Sequence, residues 1–403
     1  MGSYQCFKKS DFGGQTPGKI DASLNEKLCN VEWGEYELQK LFNKIKVNSL
    51  KYKTGDLPSK KCKGYELPAL TAGIQNQGLN NFVPKENATI LKNVISISAN
   101  GANTGATFYQ KNEFTVLQDA YAIEWIYDDT VLSDAQYLFL TGCISKVIYG
   151  NYEWTNKAGW EKIKTKSIHL PNKDGKIDFD FMESFIAELE TQRIAELSAY
   201  LKVSGFDNYE LSVEELKVLQ EYPNLKFVDF DVSDIFNVKN TSNILSCDII
   251  ENSGQIPYLC ASAENNGVSS YIEYDDKFLE EGNCIFIGGK TFVVSYQEND
   301  FYSNDSHNLA LYLNNQKART KLHQMYVATC VFKSLSHKYS WGDSVSKTKI
   351  KCDKISLPSK DGKPNFDIME TFISAIQKLA IKDVVEYSDV KINATKKVVL
   401  ETK

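Results

Sequence analysis

Lys162 to Ile186 reads KIKTKSIHLPNKDGKIDFDFMESFI and Lys349 to Ile373 reads KIKCDKISLPSKDGKPNFDIMETFI, with 16 of 25 positions identical at an offset of 187. An ungapped match of this length marks a duplication, so the two halves must fold alike. The same offset pairs Cys143 with Cys330, Lys146 with Lys333, Tyr152 with Tyr339 and Trp154 with Trp341. With small insertions the likeness continues upstream. Leu67-Pro68-Ala69-Leu70 resembles Ile256-Pro257-Tyr258-Leu259, and Gln75-Asn76-Gln77-Gly78 resembles Glu264-Asn265-Asn266-Gly267. Glu37 to Asn43 resembles Asp231 to Asn237. Two units follow, over about 33–205 and 227–387.

Each unit reads as a mixed α/β head followed by a long helix. In the heads, short β-type runs alternate with Gly/Asn turns: NVISISANG, FTVLQDAYAIEWIY, NCIFIGGKTFVVSY and HNLALYL. Helices are expected over Asp134–Tyr149 and Asn314–Lys333. After the Asp174-Gly175 or Asp361-Gly362 turn, apolar residues recur three to five apart, from Ile177 to Leu201 and from Ile368 to Ile381. That spacing predicts amphipathic helices over 178–203 and 365–386. Asp178 and Asp180 at the first start complement its dipole. Ser212-Val213-Glu214-Glu215 matches a capping box and predicts a short linking helix. The expected division is a lead-in at 1–32, a head at 33–177, helix and linker at 178–226, a second head at 227–364, its helix at 365–387 and a polar tail at 388–403.

Catalytic signatures are missing. The chain has no Pro-Pro for an amino-methyltransferase motif and no Pro-Asp for the commonest restriction-nuclease motif. Its four histidines lack metal-ligand spacing, and His169 is replaced by Ser356 in the repeat. No catalytic or metal site is therefore expected. Asn100-Gly101-Ala102-Asn103-Thr104-Gly105 and Ile287-Gly288-Gly289-Lys290-Thr291 lack the phosphate-loop spacing and read as tight turns, although such turns can approach DNA phosphates. Nine cysteines without CxxC fit free thiols in a reducing cytoplasm. The first residues lack the apolar core of a signal peptide, and no run reaches a membrane span.

The net charge of −6 excludes a generally basic nucleic-acid binder, so any such role rests on local patches. Lys317 to Lys363 holds ten Lys and one Arg against three Asp, and Lys44 to Lys63 holds seven Lys against one Asp, with Tyr52 inside. Cations bind phosphates, and aromatics among them reach bases or the sugar-phosphate backbone. Candidate DNA contacts in unit two are Lys290, Lys333, Lys338, Tyr339, Trp341, Lys347, Lys349 and Lys351. Those in unit one are Lys146, Tyr152, Trp154, Lys157, Lys162 and Lys164. The alternative is a solvated face for the lysines and a core position for each Trp.

A two-unit chain whose heads end in LPxKDGKxxFDxMExFI resembles the specificity subunits of bacterial restriction–modification systems. Asn93-Val94-Ile95-Ser96-Ile97 leading into Gly101 and Gly105 resembles them too, as does Lys338-Tyr339-Ser340-Trp341-Gly342 before Lys347 and Lys349. The junction is more similar to the type IIB, BcgI-like group than to the type I subunits. The resemblance implies two target-recognition domains, each reading half of a bipartite duplex DNA site. It implies α+β heads with pseudo-twofold symmetry, whose helices pack as an antiparallel coiled coil and dock methyltransferase or fused nuclease–methyltransferase subunits. Phe181, Phe185, Leu189, Phe372 and Ile376 are the expected partner contacts. S-adenosylmethionine and Mg²⁺ would belong to those partners, with none in this chain. Helices of about 25 residues measure about 37 Å, which places the heads roughly 11 base pairs apart. The alternatives are a tandem-repeat interaction module that binds no DNA, and a stand-alone DNA-binding regulator.

Overall fold

The computed structural model describes residues 21–401, with side chains described to 394. Most of the lead-in, including Cys6, and the last two residues of the tail lie outside the described residues. The chain divides into two compact units, one running to Glu196 and one from Leu197 to Ala394.

Unit one opens with α1 (Ala22–Asn30), capped by the Asp21 carboxylate, which accepts from the amides of Ser23 and Leu24. There follow β1 (Trp33–Glu37), α2 (Leu38–Leu41), β2 (Phe42–Lys44), β3 (Leu67–Leu70), β4 (Leu79–Val83), β5 (Val94–Ser98), β6 (Thr107–Gln110), β7 (Thr115–Val116) and β8 (Ala120–Trp125). Then come α3 (Asp134–Ile148), α4 (Trp160–Ile163), β9 (Ser167–Lys173), β10 (Lys176–Ile177) and α5 (Phe179–Val203). The sheets run β1-β9-β10, β2-β8-β5-β6 and β4-β3-β7.

The linking helix α6 (Val213–Glu221) starts on the expected capping box, with both reciprocal Ser212–Glu215 bonds formed. Unit two then repeats the first. It has β11 (Phe227–Asp231), α7 (Val232–Ile235), β12 (Phe236–Asn240), β13 (Ile256–Leu259), β14 (Val268–Ile272), β15 (Cys284–Ile287), β16 (Val294–Gln297), β17 (Tyr302–Ser303) and β18 (Leu309–Leu313). It ends in α8 (Lys321–Leu335), α9 (Lys347–Ile350), β19 (Lys354–Lys360), β20 (Lys363–Pro364) and α10 (Phe366–Glu401). Its sheets are β11-β19-β20, β12-β18-β15-β16 and β14-β13-β17, the same orders strand for strand. Even the irregularity repeats, between Ala69 and Leu70 and between Tyr258 and Leu259. Two similar α/β domains, each with a long helix, are thus present.

The central strands explain themselves by period two. All of β5 is buried. Ile95 and Ile97 enter the core with Leu140 and Ile144 of α3, while Val94 enters another with Leu70 and Phe114. In unit two Ile285 and Ile287 face α8, and Cys284 and Phe286 meet Leu259 and Phe301. A strand covered on both faces reads as a continuous apolar run, as β15 does, whereas β5 carries the buried Ser96 and Ser98 on the face away from α3.

The junction hairpins close on Asp174-Gly175 and Asp361-Gly362, all four residues at positive φ. That is the two-residue mirror-image turn that Asp-Gly favours. Asp178 caps α5 by accepting from the Phe181 amide at 2.9 Å.

Two expectations need correction. The long helix of unit two does not stop near 386 but continues to Glu401. The tail is polar, yet it holds no Gly or Pro, and polarity alone is no stop signal. The α8 helix starts at Lys321 rather than Asn314, because Thr320 caps it through the His323 amide. Residues 22–30 of the lead-in are helical. Among the described residues no helix is long and apolar enough to cross a membrane.

Candidate nucleic-acid interface

After α3 in unit one and α8 in unit two the chain makes the same tight turn. Glu153 and Asn156 exchange backbone hydrogen bonds of 3.1 and 3.0 Å, as do Ser340 and Asp343 at 3.2 and 3.1 Å. Trp154 and Trp341 take the same place at the tips and are 67% and 75% exposed. A large indole left in water at equivalent places in two diverged copies points to contact rather than packing. The core alternative therefore fails for both Trp.

The tyrosines two residues earlier face the other way. Tyr339 is buried and stacks on Phe292 at 5.1 Å. Its hydroxyl donates to the Asp353 carboxylate. Burial, and then that carboxylate, push its phenol well above the ordinary tyrosine range. Tyr152 is half-buried against the unit-one core. Both stand behind the Trp turns, so Tyr339 is no surface contact.

The Gly-rich segments lie beside these turns. In unit two the Gly289 amide donates to the buried Asn308 carboxamide at 2.9 Å, and the Gly288 amide to the Val293 carbonyl. A Cβ on Gly289 would meet the His307 carbonyl at 2.3 Å, so no side chain fits there. With these two amides spent, the turn offers a cation instead. The Lys290 ammonium sits 6.0 Å from the Trp341 ring centroid and 3.5 Å from Asp305.

Strand register shows that Ile97 matches Ile287 and Thr107 matches Val294, offsets of 190 and 187. The unit-one loop is therefore three residues longer. At its end Gly105 takes the left-handed conformation, and the unit-two counterpart is Phe292, also left-handed. Loops that diverge on a preserved scaffold are where recognition differences collect.

The lysines separate into two groups. Lys338 bonds Asp353 at 2.8 Å, Lys349 pairs with Asp343, Lys164 with Glu161, and Lys162 donates to Asn156. Lys333, Lys347 and Lys351 are exposed and form no ion pair among the described residues; Lys157 and Lys146 are also exposed. Lys146 and Lys333 end their helices at equivalent places, where cations favour the dipole. Every lysine of 44–63 is exposed, and Tyr52 is 38% exposed, whereas 240–255 has no lysine. The two units thus carry their positive charge on different segments.

The expected partner contacts are largely occupied at home. Phe181 and Phe185 meet Phe139 at 6.3 and 5.7 Å, and Leu189 lies on the same core. Phe372 stacks on Tyr222 at 3.8 Å. Ile376 alone of these five is exposed, at 39%. Periodicity marks an apolar stripe but not which neighbour covers it. The repeated cysteines are equally internal, burial pushing the thiols of Cys143 and Cys330 up to about 12. Among the described residues no cluster of three or more His, Cys, Asp or Glu is placed to hold a metal.

Two features are not visible in the sequence. One is an open groove of about 1120 Å³ between β16, α8 and the Glu264–Gly267 turn, lined by Asn265, Asn266, Tyr296, Lys321 and Phe332 among others. The other is that turn itself and its unit-one copy. Their only signal is the upstream repeat match, which carries no chemistry.

The chain is 29% identical over 154 residues to the Type II restriction enzyme BgcI specificity subunit S.BcgI of Heyndrickxia coagulans. That alignment covers 38% of this chain and 44% of the relative, so the chain matches less than half of its length. The fold is similar to the crystal structure of the type I restriction-modification system S subunit from M. genitalium, with a TM-score of 0.54, 13% identity, and 92% and 94% of the two chains covered. Residues 30–199 and 224–387 match the family described as Type I restriction modification DNA specificity domain. The two matches coincide with the two repeated units, and so the chain belongs to this family and carries its domain twice.

Proposed function

We propose that this chain is the non-catalytic DNA-reading subunit of a restriction–modification enzyme, each unit reading one half of a bipartite duplex site. The observation that carries this is the duplicated Trp turn, exposed in both units. Lysines stand around it for phosphate contact, and diverged loops stand beside it for base contact. Methyltransferase and nuclease subunits, with S-adenosylmethionine and Mg²⁺, would supply the chemistry. The eight described cysteines, all free, suit a reducing cytoplasm.

The test is a head exchange. Replacing 227–364 by the corresponding segment of a relative with another target should change one half of the sequence selected from a random duplex pool and leave the other half intact. A change in both halves, or in neither, sinks the reading of one unit per half-site.

In this reading α5 and α10 set the gap between half-sites and dock the partners. Docking would fall on the exposed Leu379, Tyr387 and Val390 of α10 rather than on Phe181, Phe185 or Phe372. Inserting four residues in register into both helices, beyond the turns that pack on the heads, should lengthen the preferred gap by about 1–2 base pairs, since a turn rises about 5.4 Å and DNA about 3.4 Å per pair. Selection from a random-spacer library reads this out, and an unchanged gap would leave the helices a docking role only.

A further inference from the structure

Before β4 and β14 the backbone does something costly twice. Asn76 (φ 47, ψ 36), Gln77 (φ 56, ψ 32) and Gly78 (φ 85) are all left-handed. So are Asn265 (φ 48, ψ 39), Asn266 (φ 52, ψ 29) and Gly267 (φ 83). Left-handed residues other than glycine are disfavoured by their own Cβ; Asn tolerates the conformation best, and Gln lacks that ease. Glycine would serve the backbone better at Gln77 and Asn266. Both copies hold a carboxamide there instead.

The turn is also held rigid. The nearly buried Gln297 carboxamide donates to the Asn266 carbonyl at 2.9 Å, and its counterpart Gln110 donates to the Gln77 carbonyl at 3.3 Å. A Cβ on Gly78 would meet the Thr71 carbonyl at 2.9 Å. All four carboxamide residues are nevertheless exposed. Asn265 and Asn266 each give one inward bond, to the carbonyls of Val268 and Tyr296. That leaves on each a second N–H and an oxygen. In unit two these groups line the open groove.

We infer that Asn76 and Gln77 in unit one, and Asn265 and Asn266 in unit two, are specificity-determining residues, each pair meeting an adenine edge in its half-site. The inference rests on the DNA-reading role proposed above. A carboxamide sets a donor beside an acceptor, which complements the N7 and N6 amino group of adenine in the major groove. Lysines position the protein on phosphate but carry no such code. Fixed carboxamides on a strained, clamped turn do carry one, and the strain secures their aim in advance.

The test uses the full chain, assembled with its partner subunits where these are needed for binding, on a duplex pool randomised in both half-sites. Asn265→Gly with Asn266→Gly removes both carboxamides and suits the left-handed backbone. Selection for adenine should fall at least about fivefold at one or two positions of one half-site, with the other half and the salt dependence unchanged. Asn76→Gly with Gln77→Gly should do the reverse. Asn76→Asp, nearly isosteric and also tolerant of positive φ, exchanges the donor for an acceptor and should turn the adenine preference of its own half-site toward cytosine. If both glycine variants bind with unchanged preferences, the turns are not readers, while DNA reading by the heads stands. If the unsubstituted chain selects no sequence at all, both readings fall.

Discussion

With Lys333, Lys347 and Lys351 replaced by alanine, DNA affinity near 50 mM salt should fall by about a thousandfold, roughly tenfold for each lysine–phosphate pair removed. The dependence of log affinity on log salt should flatten by about 3, and the preferred bases should stay the same. The three ammonium groups are exposed and make no ion pair among the described residues, so binding does not first have to break one. Such surface changes alter stability by only about 0.5 kcal/mol. Lys349 differs, because Asp343 already balances it. Replacing both Lys349 and Asp343 by alanine is neutral in charge and should leave the slope nearly unchanged. Titrations at four or five salt concentrations decide the matter. An unaltered slope in the triple variant removes this face from the interface.

Glu215→Ala should release the linking helix. This carboxylate is 5% exposed and accepts from Lys378 Nζ at 2.9 Å, Ser374 Oγ at 2.6 Å and the Ser212 amide at 2.7 Å. It is at once the end of the capping box and the anchor of α6 on α10. Removing one member of a buried pair costs about 3 kcal/mol, because Lys378 keeps its bond to the Glu210 carbonyl but loses its counter-charge. Hydrogen exchange of the α6 amides should accelerate about a hundredfold, since each 1.4 kcal/mol is a factor of about ten.

The pH dependence follows from the same site. Burial pushes the carboxyl up, but the bonds from Lys378, Ser374 and Ser212 outweigh it and the net shift is downward from 4.5. A depressed folded value means stability that is full above 4.5 and is lost as pH falls through the folded value. Protection of α6 should therefore fade only below that range, and Glu215→Ala should abolish the fading. Wild-type protection in the variant would show that α6 is held elsewhere.

The parts of the fold that rest on local chemistry are legible in the sequence. Asp174-Gly175 and Asp361-Gly362 demand a two-residue mirror-image turn, and Ser212 with Glu215 announces a helix start. The all-apolar β15 announces a central strand, and in β5 only Ser96 and Ser98 interrupt the apolar residues. The ungapped repeat requires one topology used twice. The end of α10 is not legible in the same way, because its polar residues resemble a tail although nothing among them breaks the helix.

Which side chains face the solvent is settled by partners far away in the chain. Tyr339 and Trp341 stand two residues apart among the same lysines. One is buried because Phe292, 47 positions earlier, and Asp353 enclose it, and the other sits exposed at a turn tip. Lys349 and Lys351 are both exposed, but Lys349 pairs with Asp343 while Lys351 forms no ion pair among the described residues. The left-handed turns at Asn76 and Asn265 are invisible as sites, because a run of Asn, Gln and Gly signals a turn but not its hand. Composition and periodicity describe the free energy of a segment on its own. Burial, pairing and backbone strain at the candidate interface depend on contacts between segments, and these exist only once the heads have closed.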